Sequence, residues 1–195
     1  MIQDVNALTA PVNRVLPAEF CQTVGLGGHV GGGGMGLISR AFGLACDHLE
    51  SARILTADGH FKTASTTENP DLYWALRGGG SGGFGIVTSS KFRTRASWPY
   101  KHQSPLRGSI SGRFRPSPTR SGRATTFRSD RSKSPPITGP VPAEVWTRTF
   151  TELLNRSGGL QNLIIDVLGG AVAEVSPTET AYVHRRDGGF WCNMM

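Results

Sequence analysis

The 195-residue sequence is poor in cysteine and in acidic side chains, and it has no long apolar run. Its three cysteines, Cys21, Cys46 and Cys192, are odd in number and lack metal-ligand spacing, which excludes a disulfide framework and a zinc module. No apolar stretch approaches the roughly 20 residues a membrane-spanning helix needs, so no membrane partner is expected. Met1 to Asn6 lack a basic region leading into an apolar one, so this start does not read as a signal peptide, and localisation is not legible. Acids number 14 against 21 Lys plus Arg, a formal charge of +7. Such a balance would point to a polyanion partner, but it is local. Residues 98–140 hold seven Arg, two Lys and one acid (Asp130), a net +8, and the remaining 152 residues carry −1.

That charge step divides the chain. The length allows one domain or two small ones. Residues 1–20 are weakly patterned, and residues 21–97 read as compact α+β. Residues 98–140 draw 19 of 43 positions from Pro, Gly and Ser, with eight apolar ones. So little apolar surface does not offset the entropy of ordering, so this segment is expected to be disordered. Residues 141–195 regain a globular pattern. Within 21–97, the stretches 52–57 and 60–64 flank Asp58-Gly59, the signature of a hairpin with a two-residue type I′ turn. Asn69-Pro70 followed by Leu72, Ala75, Leu76 and Gly78 predicts a short helix, with Asn69 as its cap and Pro70 at its first position. Phe84 to Phe92 reads as a strand. Val145, Trp146, Thr149, Phe150, Leu153 and Leu154 form a helical stripe stopped at Gly158-Gly159, and 163–168 reads as a buried strand.

Glycine is what the chain has in excess: 26 residues, about 13% against a usual ~7%. Eight fall in 25–36 and six in 78–85. Positions without Cβ let a backbone turn tightly and come close to a ligand. Successive N–H groups in such turns can form an anion-binding concavity, and a short helix at 37–42 closed by Gly43 would add positive potential from its N-terminus. Two readings stay open on this evidence: a loop that cradles a pyrophosphate-containing cofactor, and a glycine-rich surface loop without a ligand. Gly31-x-Gly33-x-x-Gly36 fits the dinucleotide fingerprint, with Glu50 downstream. The fingerprint requires a β-branched strand immediately before it and a crossover helix after it. Residues 22–30 supply more glycines instead and a hairpin follows, so the Rossmann reading is rejected.

The motifs in order are more specific. Cys21-x-x-Val24-Gly25-x-Gly27-Gly28-His29-x-x-Gly32-Gly33-x-x-Gly36 is followed by Ser39-Arg40-x-x-Gly43-Leu44-Ala45-x-Asp47 and by Leu55-Thr56-Ala57-Asp58-Gly59. Then come Glu68-Asn69-Pro70-Asp71-Leu72-Tyr73-Trp74-Ala75-Leu76-Arg77-Gly78-Gly79-Gly80 and Phe84-Gly85-Ile86-Val87-Thr88-Ser89. From Cys21 to Ser89 the chain closely resembles the FAD-linked oxidases of the berberine-bridge-enzyme-like group, within the vanillyl-alcohol-oxidase / p-cresol-methylhydroxylase flavoprotein superfamily. A second, weaker resemblance runs from Gly169-Gly170 through Thr180-Ala181-Tyr182-x-His184-Arg185, similar to a later stretch in the family's substrate-domain half.

The resemblance implies an α+β fold: the second subdomain of an FAD-binding domain, mainly antiparallel sheet with short helices, then the basic segment and a remnant of a substrate domain. It implies FAD as cofactor, with a small-molecule substrate and dioxygen as partners. The flavin takes a hydride from a C–H bond next to oxygen or nitrogen, and the protein positions and tunes it. Cys21 aligns with the cysteine that forms a thioether to the flavin in bicovalent members. A thiolate is a nucleophile suited to an electron-poor ring; the alternative is an ordinary small buried thiol. Val24, Gly25, Gly27 and Gly28, with Gly85, Ile86 and Val87, align with segments lining the FAD, and Gly32 and Gly33 continue the same loop. His29 is not in the family's flavin-linking motif and reads as a structural or cofactor-contacting histidine. Cys46 reads as core, Cys192 has no assigned role, and Trp74 and Arg77 read as packing and helix-end residues.

Other parts of the family pattern are missing from this sequence. Only the short stretch 1–20 precedes Cys21, so the first FAD subdomain with its linking histidine is not expected here, and no catalytic residue is assignable. The expectation is a piece of a flavin oxidase that is not a competent oxidase alone. The composition of 98–140 fits retained intron sequence or a shifted frame. Two alternatives remain: a catalytically inactive fragment, and a basic protein binding nucleic acid through 107–133. The second is disfavoured, because the segment has few aromatics to stack bases and resembles no known module.

Overall fold

The computed structural model describes residues 1–19, 21–97, 136–137, 140–155, 163–185 and 190–194. The segment expected to be disordered therefore lies outside the described residues, apart from 136–137 and 140. The weakly patterned N-terminus is ordered. Helix α1 (Ile2–Thr9) leads through a 3₁₀ turn at Ala10–Val12 to strand β1 (Arg14–Val15). Ile2 and Leu16 are buried. Arg14 clamps this segment by donating to the Thr94 hydroxyl and carbonyl, and β1 pairs antiparallel with β5 (Arg95–Ala96).

The central sheet has strand order β3-β2-β4, all antiparallel. Its strands are β2 (Leu49–Leu55), β3 (Phe61–Ser65) and β4 (Ile86–Phe92). Strand β2 buries Leu49, Ala52 and Ile54, which a strict period of two does not allow. A register shift against β4 between Leu49 and Ser51 resolves this, because one extra residue turns the strand over between the two buried sets. Helix α4 (Pro70–Leu76) packs on the sheet, and Leu49, Ala52, Ile54, Ala64, Tyr73 and Leu76 form one core cluster. Tyr73 reaches past the predicted stripe to donate its hydroxyl to the Leu49 carbonyl.

Two turn expectations need correction. The β2–β3 connection is not a type I′ turn: positive φ occurs at Gly59 (+78°) and not at Asp58. Gly59 N–H donates to the Thr56 carbonyl and Thr56 N–H to the His60 carbonyl, a longer turn with one left-handed residue. Asp58 stabilises it instead, accepting from Thr56 Oγ1 and His60 N–H, and with Lys62 these bonds hold its carboxyl well below the usual range. Asn69 does not cap α4 with its side chain. It adopts a left-handed conformation (φ 47°), and its Nδ2 donates to the Thr63 carbonyl, tying the helix start to β3.

The second core cluster joins distant sequence. Val30, Leu44, Ala45 and Cys46 pack with Leu168, Val172 and Tyr182. Helix α2 (Leu26–Gly31), helix α3 (Ser39–Phe42) and the 3₁₀ turn Ala45–His48 meet here the later run that contains helix α6 (Ala171–Glu174). The thiol of Cys46 is fully buried, and its pKa is pushed up to about 12, mainly by desolvation and then by Asp47. Strands β6 (Pro136–Ile137), β7 (Leu163–Val167) and β8 (Phe190–Met194) form a further antiparallel sheet in the order β6-β8-β7, with Cys192 opposite Ile165. The predicted helical stripe lies on α5 (Ala143–Asn155), where Val145 and Phe150 are exposed; Gly158 and Gly159 lie outside the described residues.

Candidate flavin-binding cleft

The two glycine concentrations meet in space. Gly80 N–H donates to the Gly31 carbonyl (2.8 Å), and Ser81 Oγ donates to the Gly28 carbonyl (2.9 Å). Between them lies a cleft of ≈ 230 Å³. It is lined by glycines and serines, Gly27, Gly28, Gly31, Gly80, Ser81, Gly82, Gly85 and Ser90, and by apolar residues, the buried Val30, Leu49, Ala52 and Leu76 and the exposed Phe84 and Val87. Among the described residues no ionisable side chain lines it. A ligand here would meet backbone dipoles and apolar surface.

Several glycines of these loops leave room. A Cβ at Gly25, Gly27, Gly80, Gly82 or Gly83 would meet nothing within 4 Å, and one at Gly28 would meet Ser81 Oγ at 3.8 Å. Gly80 (φ +99°) and Gly82 (φ +89°) need glycine for their backbone conformation, but neither space nor φ inside the described protein requires Gly25, Gly27, Gly28 or Gly83 to lack a side chain. A ligand approaching the backbone would require it. The cleft is smaller than the roughly 300–1,000 Å³ of a complete small-molecule site, so its size and lining suit part of a cofactor as large as FAD.

Of the residues singled out in the sequence, Gly27, Gly28, Gly85 and Val87 line the cleft. Gly85 has φ +136° and sits against the Leu55 carbonyl, so the end of the sheet also demands a glycine there. Gly25 stands at the start of α2, and Ile86 is exposed at the adjoining edge of β4. The loop is thus partly helical, where tight turns were expected. Val24 gives its carbonyl to Ile2 N–H and its own N–H to the Cys21 carbonyl, closing the turn that carries Cys21. Gly32 is exposed beyond α2.

Besides Val24, Gly25, Gly32 and Ile86, three more candidates, Cys21, His29 and Gly33, lie outside the lining. Cys21 is exposed on its turn, with its thiol pKa raised by desolvation and the Glu19 carboxylate. No group in the described chain activates it as a thiolate. His29 is half-buried behind the loop and accepts from Glu19 N–H at Nε2 (3.0 Å), which places its proton on Nδ1. Burial pushes its pKa down and Glu19 opposes this, so the ring is neutral at neutral pH. It pins the segment before Cys21 to α2. Gly33 is buried against Tyr182, away from the cleft.

Sequence reasoning missed the network behind the loops. Arg185 is 2% exposed and grips both carboxylate oxygens of Asp47. It also donates to Thr180 Oγ1 (3.1 Å) and to the Val172 carbonyl (3.3 Å). Arg77, 8% exposed, donates to the Cys46 carbonyl (3.2 Å), while Trp74 donates to the Thr178 carbonyl (2.8 Å). Both serve as packing and helix-end residues, as the sequence suggests. The signal for the network was the Thr180-to-Arg185 motif, but its partner Asp47 lies 138 residues from Arg185 in the chain.

Comparison with known proteins agrees with this geometry. Residues 1–65 match an FAD binding domain. A xylooligosaccharide oxidase of Thermothelomyces thermophilus is 54% identical over 86 residues, 44% of this chain and 17% of that protein. Berberine bridge enzyme-like 12 of Arabidopsis thaliana is 49% identical over 80 residues, 41% of this chain and 15% of that protein. The matched segments thus span under a fifth of these relatives. In overall fold the chain resembles a crystal structure of a Phl p 4 variant described as a glucose oxidase, with a TM-score of 0.76 at 18% identity. That likeness covers 98% of this chain and 55% of the other, and it concerns the fold alone.

Proposed function

Starting from a chain that carries part of the FAD-binding region of berberine-bridge-enzyme-like FAD-linked oxidases, we propose that the glycine cleft takes part of an FAD and that the whole protein is an FAD-dependent oxidoreductase. The observation that carries this reading is that Gly27 and Gly28, both lining the cleft, have neither a crowded Cβ position nor a positive φ to explain their missing side chains. Gly27, Gly28 and Gly85 would hold the cofactor through their backbones, and Val30, Leu49, Leu76 and Val87 would give it apolar surface. Val24, Gly25 and Ile86 border it, while His29, Gly32 and Gly33 hold the loop in shape. When bound, FAD accepts a hydride from a C–H bond beside oxygen or nitrogen and passes the electrons to dioxygen, giving hydrogen peroxide. The substrate class is an alcohol, a sugar or a secondary metabolite.

Cys21 is the candidate for a thioether link to the flavin. Desolvation and the Glu19 carboxylate raise its pKa, so these described neighbours do not favour the thiolate. The test is colour and its persistence. The purified chain reconstituted with FAD is expected to be yellow, with flavin fluorescence that stays on the polypeptide after denaturation. Cys21→Ser should release the flavin on denaturation while still binding it when folded. A chain that takes up no FAD would defeat the cofactor reading. Flavin released equally from wild type and C21S would defeat the link alone.

A further inference from the structure

We propose that Tyr182 is a positioning residue that sets the relative placement of the two glycine loops walling the cleft. The loops are distant in sequence, with Ser81 and Gly28 separated by 53 residues, and their meeting has two ends. At the cleft, Gly80 N–H and Ser81 Oγ close onto the carbonyls of Gly31 and Gly28. At the opposite end both loops abut Tyr182. A Cβ on Gly33 would lie 2.5 Å from Cδ2 and 2.7 Å from Cε2 of the ring. A Cβ on Gly78 would lie 2.6 Å from the Cβ of Tyr182 and 2.8 Å from its backbone nitrogen. Both glycines have strongly positive φ, +107° at Gly33 and +105° at Gly78, so each loop turns at the point where it meets this residue. The Tyr182 ring therefore fills the space left at Gly33, while its backbone and Cβ lie against Gly78, so this one residue sits between the two loops.

The ring is itself held. Tyr182 is 7% exposed, with the Arg185 guanidinium 5.7 Å from its centroid and the His184 ring edge-on at 5.5 Å. Arg185 is fixed in turn by its two bonds to Asp47. A chain of contacts thus runs from Asp47 through Arg185 and Tyr182 to both loops. Tyr182 does not line the cleft, so it acts on the cofactor only through them. The consequence for FAD rests on the reading that this cleft takes the cofactor.

The test uses the full chain and three variants: Tyr182→Phe, Tyr182→Leu and Tyr182→Ala. Amide hydrogen exchange at Gly80, whose N–H bonds the Gly31 carbonyl, is compared with exchange along β2, which belongs to the other core cluster. Y182L is expected to lower protection at Gly80 on the order of 10-fold or more while β2 holds its protection, and Y182F should match wild type. With FAD added, Y182L should weaken binding by about 10-fold or more, because loop misplacement of this kind removes contacts that the cofactor needs. If Y182A proves globally unfolded, Y182L and Y182F still decide. Gly80 protection that falls no more than that of β2 in Y182L would overturn the proposal. So would wild-type FAD affinity in Y182L if the wild-type chain binds FAD. Failure of wild type to bind FAD would defeat the cofactor reading, while hydrogen exchange would still decide whether Tyr182 positions the loops.

Discussion

The same glycine-rich loops present two sides, and the glycines on them are there for different reasons. On the cleft side, Gly25, Gly27, Gly80, Gly82 and Gly83 have open space where a side chain would be. On the inner side, Gly33 and Gly78 are pressed against Tyr182, Gly34 against Ala45, and Gly79 against the Ala75 carbonyl. An inner glycine is explained by the fold itself, since a methyl group would collide. Gly80 and Gly82 are open but need glycine for their positive φ, whereas at Gly25, Gly27 and Gly83 neither space nor φ explains the glycine, and the explanation must come from outside the described protein. Glycine content alone does not mark a ligand site; glycine that the fold does not need does.

The inner side should break hardest at its ion pair. Arg185→Met leaves the Asp47 carboxylate largely buried and without its guanidinium, and should cost about 3–5 kcal/mol in urea denaturation. Arg14→Met, removing an exposed arginine from the Thr94 bonds, should cost under ~1 kcal/mol. Equal losses would mean that the 168–185 run contributes no more than a surface contact. Next in size is Gly78→Ala. It combines a positive φ with a collision against Tyr182 backbone, and should destabilise by about 2–5 kcal/mol.

Gly27→Ala sharpens the contrast, because it lies in α2 with an open Cβ position. Thermal melts should show a gain of roughly 0.5–1 kcal/mol from helix propensity, and FAD titration should show weaker binding. A large stability loss in G27A would erase the distinction between the two sides.

The smallest expected effect is pH. His48 is 1% exposed, with its ring nitrogens 3.1 Å from the Arg93 carbonyl and 2.9 Å from the Phe42 carbonyl. Desolvation pushes its pKa down, and the same cause lowers His29. An unfolded histidine titrates near ~6.5, so below that the unfolded chain binds more protons than the folded one. Stability is then full above pH ~7 and declines as pH falls through ~6.5 toward the folded values. Urea midpoints at pH 7.5 and 5.5 should show the lower value at 5.5. A higher midpoint at 5.5 would mean that these rings gain protons on folding.

Much of the local structure was legible in the sequence. Asn69-Pro70 and Gly78 mark the ends of α4, Asp58-Gly59 marks the hairpin, and the order of motifs from Cys21 to Ser89 names the cofactor. The departures are local too. Asp58 and Asn69 do not take the backbone roles their residue types favour, because a carboxylate with three donors and an amide reaching β3 found better partners. Among the candidate cofactor residues, Gly27, Gly28, Gly85 and Val87 line the cleft, while Gly32 and Gly33 of the same motif do not. Spacing along a motif does not tell which side of a loop a backbone faces.

By itself the sequence determined the FAD-binding character, the hairpin and helix that frame the loops, and the concentration of positive charge, net +8, in residues 98–140. These rest on patterns within a few residues or on the order of short motifs. Only the tertiary structure decided which glycines face a cleft and which face Tyr182. It also decided that Arg185 reaches Asp47, and that residues 168–185 complete the core begun by Val30 and Leu44. Those facts depend on contacts between segments far apart in the chain, and shape at such a contact comes from the packed chain and not from the order of its residues.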